Sequence, residues 1–313
     1  MAAPVSTPLP SAHPKGFGAT FRRDAWWIYP SFLAFLLIGF VVYSTWAGLQ
    51  SGFHWANGTN YLTPFYSPEI WGTSPHAFIL GIPAWWPVNL MAFSSAFLIL
   101  AAPAGFRFTC YYYRKAYYRS LWADPVACAV GEARSGFWGE NRLPLILLNL
   151  HRYFLYLALA FAVLLLVDGI KSFWFPVDAG GMQHFWNNSQ GQRIAGELYA
   201  QTAANVIDAK AGPAGWSFGI GLGSLILLIN PLLIMGYTFG CHSLRHFVGG
   251  GCDRYRTPVQ KARHGLWRVV TWFNGKHEMW AMLSLVWVGL SDLYVRGLAH
   301  GWWTETYLVN PFK

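Results

Sequence analysis

Long apolar segments alternate with shorter polar segments along the chain, and this alternation predicts membrane-spanning helices. A helix that crosses the hydrocarbon core of a bilayer needs about 20 predominantly apolar residues. The pattern therefore predicts an all-α integral membrane domain over residues 26–300, preceded by an arm (1–25) and followed by a tail (301–313). Its five transmembrane helices are expected at about 26–49, 86–104, 145–170, 216–240 and 278–298.

The composition supports a membrane protein and argues against a soluble one. Only 11% of the residues are charged and 54% are hydrophobic, whereas a soluble domain carries about 25% charged residues. The chain also contains 18 Trp and 16 Tyr residues, and both types favour the interface between bilayer and water.

The distribution of Lys and Arg predicts the orientation of the helices. With a cytoplasmic N-terminus, the inner side holds the arm, the loops 105–144 and 241–277, and Arg152, which together contain 17 of the 22 basic residues. The outer loops 50–85 and 171–215 and the outer end of the chain hold the other 5. Because basic residues concentrate on the cytoplasmic side of membrane proteins, the net charge of +9 reflects topology, and nucleic-acid binding is not expected.

The outer loops contain features of their own. The aromatic residues of 50–85 are predicted to form short, non-spanning elements along the outer interface. The spacing in 182–210 is compatible with a surface helix. Asp168 and Asp292, near the outer ends of their helices, are expected to be solvated rather than part of a proton path.

Cys and His residues gather where helices meet the inner side. They are Cys110, Cys128, His151, Cys241, His242, His246 and His277. Any single one of them could be an ordinary buried residue, but the set as a whole favours a redox or metal site. Thiolates with imidazoles suit zinc or an iron–sulfur cluster, and two His residues alone would suit haem b.

The segment FRFTCYYYRKAYYRSLWADP interleaves Tyr with Arg and Lys. Most of these residues fit an interfacial belt with cations that reach towards water. The alternative is a quinone pocket, since Tyr hydroxyls can donate hydrogen bonds to a quinone carbonyl and Arg can stabilise the reduced anion. The quinone-binding candidates are Tyr111, Tyr113 and Arg114, together with Arg245 in the later run CHSLRH.

Three runs carry a resemblance to a known family. TCYYYRKAYYRSLWADPVACAVGE (109–132), PLILLNLHRYF (144–154) and YTFGCHSLRHFVGG (237–250) resemble the membrane anchor of the mycobacterial-type succinate dehydrogenase. The resemblance implies flavoprotein and iron–sulfur partner subunits in the bacterial cytoplasmic membrane, with further copies of the complex able to form a higher oligomer. It also implies electron transfer through a Rieske-type [2Fe–2S] cluster in the anchor to a quinone, with menaquinone expected.

The resemblance implies that four of the seven Cys and His residues hold the cluster. The first choice is Cys110, Cys241, His151 and His242, with Cys128 and His246 as close rivals. No succinate-oxidising site and no catalytic residue is expected in this chain. Two alternatives remain open: a haem b anchor of a fumarate reductase and, from a different class, a small-molecule transporter.

Overall fold

The fold was analysed in a computed structural model. It describes residues 16–50, 52–81, 83, 94–134, 136, 141–143, 145–188, 190, 207–208, 210–251 and 253–313. The described chain divides into two compact units. The first comprises Met1–Gly39 and Tyr111–Leu147, and the second comprises Phe40–Cys110 and Leu148–Lys313.

The described residues are mostly helical. The helices are α1 (Ile28–Leu49), α2 (Ser95–Thr109), α3 (Tyr111–Tyr117), α4 (His151–Lys171), α5 (Leu222–Phe239), α6 (His242–Gly249), α7 (Pro258–Asn274) and α8 (His277–His300). A π-helical turn, Tyr118–Trp122, continues α3, and a 3₁₀ segment, Leu145–Leu150, leads into α4. Within the second unit α5 packs against both α4 and α8, and α2 packs against α4.

Four described helical segments are long and apolar enough to cross a membrane. They are Ile28–Leu49, Leu145–Lys171, Leu222–Phe239 and His277–His300. These agree with four of the predicted spans. For the remaining predicted span, 86–104, residues 84–93 lie outside the described part of the chain, and α2 is an apolar helix that begins at Ser95 and runs to Thr109. A fifth span therefore stays a prediction.

The fourth predicted span, 216–240, begins too early. The eight short strands are β1 (Trp55–Ala56), β2 (Tyr61–Leu62), β3 (Trp71–Gly72), β4 (Ile79–Leu80), β5 (Trp174–Val177), β6 (Gly215–Phe218), β7 (Ile220–Gly221) and β8 (Tyr307–Val309), counted over the described residues. Residues 215–218 form β6 and residues 220–221 form β7, and the helix starts only at Leu222. β6 pairs with β5 and β7 pairs with β8, both antiparallel, so paired backbone replaces the first turns of the expected helix.

The predicted inner loop 241–277 is largely helical. α5 ends at Phe239, and α6 begins at His242 as a separate helix. Thr257 caps α7, since its hydroxyl accepts a hydrogen bond from the backbone N–H of Gln260 while the Gln260 side chain accepts from the Thr257 N–H. This reciprocal capping box fixes the start of α7.

The aromatic residues of the outer loop 50–85 are mostly buried rather than spread along an interface. Trp55, Phe65 and Tyr66 belong to one core cluster, and Trp71 is only 2% exposed. β1 pairs with β2, β3 pairs with β4, and a 3₁₀ turn, Pro64–Tyr66, lies between these two pairs. The predicted short, non-spanning elements are therefore present, but most of their aromatic side chains are buried inside the second unit instead of lying along the interface. Most of 182–210 lies outside the described residues, so the helix expected there is not tested.

Asp292 is buried, contrary to the expectation that it is solvated. The side chains of Asp292 and Arg296 are both fully buried on α8, and Arg296 Nε donates to Asp292 Oδ2 at 2.7 Å. Tyr43 also donates to this oxygen, at 2.7 Å. The charge of Arg296 compensates the carboxylate inside the protein. Asp168 is only partly buried and accepts a hydrogen bond from Ser67.

Candidate cofactor site at the helix ends

Cys110 and Cys241 occupy equivalent breaks between helices. Cys110 separates α2 from α3 with φ −65° and ψ 135°, and Cys241 precedes α6 with φ −64° and ψ 135°. The backbone N–H of each bonds to the carbonyl three residues earlier, Arg107 for Cys110 and Thr238 for Cys241. One extended residue thus turns the chain at both positions, and both thiols are buried.

The two histidines of the site begin helices. His151 is the first residue of α4 and His277 is the first residue of α8. Within the second unit, the C-termini of α2 and α5 and the N-termini of α4 and α8 come together at one end. The partial positive charge of the two helix N-termini is opposed by the partial negative charge of the two C-termini, so the side chains at this end, rather than the helix dipoles, determine what it can bind.

Each cysteine lies against one of these histidines. Cys110 Sγ is 3.4 Å from His277 Nε2, and Cys241 Sγ is 3.1 Å from His151 Nε2. The two pairs are neighbours, because the Phe106 ring beside His151 also contacts the Tyr237 ring beside His277, with centroids 5.3 Å apart. Two thiols and two imidazoles therefore share one buried region.

Surrounding side chains fix both imidazole rings. The Thr109 hydroxyl lies 3.0 Å from His151 Nδ1, and the Phe106 ring stacks on His151 at 4.6 Å between centroids. Tyr237 stacks on His277 at 5.0 Å. These contacts leave Nε2 of each ring directed to a cysteine. Residues that orient ligand rings in this way are typical of metal centres.

Room for His277 depends on a glycine. A Cβ added to Gly240 would lie 2.9 Å from His277 Nδ1 and 3.0 Å from the Phe273 carbonyl oxygen. Both separations are shorter than ordinary van der Waals contact. The Gly240–Cys241 break therefore both turns the chain and lets the His277 ring approach.

Burial alters the chemistry of the Cys241 thiol. Burial, aided by the neighbouring Cys110 thiol, raises the pKa of Cys241 to about 11, although the backbone N–H groups of Leu244 and Ser243 favour the thiolate. Without a bound cation the thiol is thus protonated near neutral pH. A metal would reverse this preference, since the thiolate is the ligand form.

The other predicted ligands lie elsewhere. His242 and His246 are exposed on α6 with ring centroids 4.7 Å apart. Cys128 is exposed and belongs to the first unit. The structure thus brings together three residues of the first choice, Cys110, Cys241 and His151, and adds His277. No described group of three or more Cys, His, Asp or Glu side chains is arranged to hold a metal ion, so the ligand assignment stays a prediction.

The quinone-binding candidates divide between the two units. Tyr111, Tyr113 and Arg114 lie on α3 in the first unit, where the Arg114 guanidinium stands 4.7 Å over the exposed Tyr111 ring and Tyr113 is buried. Arg245 lies on α6 in the second unit, 4.9 Å over the Trp267 ring. Their assignment to a quinone site stays a prediction.

An apolar cavity that the sequence did not predict lies beside the Cys–His pairs. It has a volume of about 120 Å³ and is lined mainly by apolar side chains of α1, α2, α4, α5 and α8. Its polar lining includes Arg107, Tyr237 and Thr238. The Thr238 hydroxyl is buried without a hydrogen-bond partner among the described residues. Phe106 and Tyr237 line the cavity and also stack on His151 and His277, so only one layer of rings separates it from the pairs.

Comparison with known proteins gives two matches. The family model for the actinobacterial succinate dehydrogenase subunit SdhC matches residues 28–184 and 198–301. A chain of the Mycobacterium smegmatis Sdh1 complex in the apo form is similar in structure, with a TM-score of 0.71 and 32% sequence identity, over 98% of this chain and 100% of that chain. No curated protein matches the sequence.

Proposed function

Since the chain belongs to the actinobacterial SdhC family and is a multi-pass membrane-anchor subunit of succinate dehydrogenase, we propose that it is the subunit that reduces the quinone. In this proposal it crosses the bacterial cytoplasmic membrane five times, with its N-terminus in the cytoplasm. The observation that carries the proposal is the pair of buried Cys–His contacts at one end of the second unit.

The proposed cofactor is a Rieske-type [2Fe–2S] cluster held by Cys110, Cys241, His151 and His277. The donor set fits, because such a cluster takes two thiolates on one iron and two imidazoles on the other. When bound, the cluster would accept and release single electrons at a raised potential. Thr109 supports this assignment of ligands, since a hydrogen bond at His151 Nδ1 leaves Nε2 for the metal.

The proposed quinone site is the apolar cavity, and menaquinone is the expected quinone. Its apolar walls suit a hydrophobic ring system and its isoprenoid tail. The Thr238 hydroxyl in the cavity lining would supply a donor for a quinone carbonyl, and Arg107, which also donates to Ala281 and Ser284, adds positive charge to the lining. Only the aromatic rings of Phe106 and Tyr237 would separate the quinone from the electron donor.

The proposed partners are the iron–sulfur subunit, which docks on the cytoplasmic side, and the flavoprotein subunit. The basic residues Arg114, Lys115 and Arg119 on α3 and its π-helical continuation supply part of that docking surface. Replacing all three with Gln should release the soluble subunits from the membrane. Retention of an intact complex would show that this surface does not dock them.

Spectroscopy on the purified complex tests the cofactor and its ligands. We expect a Rieske-type EPR signal with a low average g, and we expect Cys110→Ser, Cys241→Ser, His151→Ala and His277→Ala each to abolish it. His242→Ala and His246→Ala are matched controls on exposed α6 positions and should retain it. Succinate oxidation with a soluble dye should survive in every variant while quinone reduction is lost in the first four. A sharp reduced α-band from haem, or a retained EPR signal in the His277 variant, would contradict the assignment.

A further inference from the structure

The α6–α7 hairpin is attached at both ends to membrane-spanning helices. Two residues, Gly240 and Cys241, join α5 to α6, and two more, Gly275 and Lys276, join α7 to α8. Asn274 Nδ2 donates to the Gly240 carbonyl at 2.7 Å, which ties the end of α7 to the end of α5. These links hold at least the C-terminal end of α7 at the level where two spans leave the bilayer.

One face of α7 packs within the protein. Arg263 donates to the carbonyls of Val248 and Gly250 at 3.0 Å each, which satisfies the C-terminus of α6. Trp267 lies under the Arg245 guanidinium, and Val270 is buried. With 3.6 residues per turn, these residues define one side of the helix, which is fully occupied by α6 and α5.

The adjoining face of α7 is apolar and exposed. Val259, Leu266, Val269 and Trp272 have exposed fractions of 70%, 56%, 54% and 55%. At about 100° per residue these four positions fall on one continuous arc next to the packed face. A face of this kind is stable only where something apolar covers it.

The far border of this arc is basic. Lys261 and Arg268 are seven residues apart, so they share one line along the helix, and both are exposed. α7 contains no Asp or Glu. Lys276, just beyond the helix, places its ammonium 4.4 Å over the Trp272 ring. A Trp with a nearby Lys is a typical arrangement at the boundary of a membrane.

We infer that α7 is an interfacial helix that inserts Val259, Leu266, Val269 and Trp272 into one leaflet and binds anionic phospholipid headgroups with Lys261 and Arg268. Three sectors of the helix have three partners: the protein, the acyl chains and the headgroups. Amphipathic basic helices bind anionic membranes by this combination of apolar burial and charge. The inference requires only that the chain is a membrane anchor and is independent of the proposed cluster and quinone site.

Photo-crosslinking of the assembled complex in its native membrane identifies what covers the arc. Leu266 is replaced by p-benzoylphenylalanine, and the adducts on α7 are identified by mass spectrometry after irradiation. We expect phospholipid adducts. A crosslink to another polypeptide would overturn the inference and assign this face of α7 to a partner subunit.

Hydrogen–deuterium exchange of the complex in nanodiscs tests the charge preference. We expect the α7 amides to be better protected with phosphatidylglycerol than with phosphatidylcholine alone. In the Lys261→Gln/Arg268→Gln variant, the extra protection given by phosphatidylglycerol should fall by about five-fold for each charge removed. This factor corresponds to about 1 kcal/mol for each basic residue near an anionic surface. Arg254→Gln/Arg256→Gln removes the same charge from the exposed loop before α7 and should retain the dependence. An equal response of both variants would overturn the headgroup assignment.

Discussion

Loss of Arg296 should destabilise the protein more than loss of any exposed charge. Arg296 is fully buried and donates to Asp292 Oδ2 at 2.7 Å, Gln50 Oε1 at 2.8 Å, the Ala47 carbonyl at 2.9 Å and the Gly52 carbonyl at 3.0 Å. The Arg296→Met variant keeps most of the volume and removes all of these bonds. It leaves a buried carboxylate without its counter-charge and takes one donor from each of three further acceptors, of which the Ala47 carbonyl keeps a long hydrogen bond from the Tyr66 hydroxyl at 3.4 Å.

The expected loss is about 3–5 kcal/mol of the free energy of unfolding, which is typical when one partner of a buried ion pair is removed. Asp292→Leu alone should cost a similar amount, because it leaves the Arg296 charge unpaired. The double variant Arg296→Met/Asp292→Leu should lose less than the sum of the two, since no buried charge remains. Tyr43→Phe removes one donor to the Asp292 carboxylate and should cost about 1.5–3 kcal/mol, as is typical of a hydrogen bond to a charged group.

These free energies can be measured by reversible unfolding of the protein in bicelles with steric trapping. The double-mutant cycle is the decisive comparison, because it isolates the coupling between Arg296 and Asp292. If Arg296→Met stays within about 1 kcal/mol of the wild type, the pair behaves as an exposed ion pair and the reasoning fails. Additive losses in the double variant would likewise show that the two charges do not interact.

Three further predictions concern the approach of Gly240 to His277, the apolar cavity and the outer loop 50–85. Gly240→Ala should displace His277 and weaken the proposed EPR signal. The control is Gly39→Ala, where an added Cβ meets nothing within 4 Å; it should leave the signal unchanged and leave the free energy of unfolding unchanged or raise it by about 0.5–1 kcal/mol. Equal effects of both variants on the signal would contradict the close approach of His277. Thr238→Val removes a buried hydroxyl without a described partner, so thermal stability should be kept while the KM for quinone rises, and an unchanged KM would remove Thr238 from the proposed quinone site. Stability should fall as the pH drops from 7 to 4, because burial lowers the pKa of His76, and His54 and Ser74 hold the pKa of Glu69 below its usual range despite its burial. As the pH falls, the unfolded chain therefore takes up protons before the folded protein does, near pH 6.5 for His76 and near pH 4.5 for Glu69. His76→Gln should flatten the upper part of a plot of melting temperature against pH, and an unaltered slope there would refute this assignment.

Apolar length and charge asymmetry were sufficient to predict four of the spans. They could not place the start of α5, because no charged residue interrupts the chain between Lys210 and Leu222. The difference lies in tertiary pairing of β7 with β8, 86 or more residues away in the chain. Gly219, where an added Cβ would meet the ring of Pro311 at 2.8 Å, is a local signal that another segment comes close.

The buried ion pair had a signal in the sequence that the charge analysis did not use. Asp292 and Arg296 are four residues apart within an apolar span, so they share one face of the helix. Opposite charges at this spacing inside a membrane helix indicate a compensated buried pair rather than two solvated residues. By contrast, the burial of Glu69 and its contact with His54 at 2.8 Å depend on loop packing that no local pattern reveals.

The sequence located the Cys and His residues at one end of the helices but could not rank them. The first choice of ligands included His242 and not His277, and the structure explains why His242 lies apart from the Cys–His pairs. Because α6 starts anew at His242, its first residue points away from the buried side on which Cys241 lies. Partner choice is instead set by Phe106, Thr109 and Tyr237, which hold His151 and His277 from helices distant in sequence.

The matching breaks at Cys110 and Cys241 connect local structure to the proposed chemistry. In a continuous α-helix, side chains project from the sides of the helix and backbone N–H groups form hydrogen bonds within it. A single extended residue between two helices instead turns its thiol into the region where helix ends converge, as the nearly identical φ and ψ of the two cysteines indicate. The histidines need no such break, because His151 and His277 already stand at helix starts. In the proposed site, two cysteines at breaks and two histidines at helix starts supply the ligands from four separate helix ends. Shifting either cysteine by one residue should therefore disrupt the site even though the composition of the sequence is unchanged.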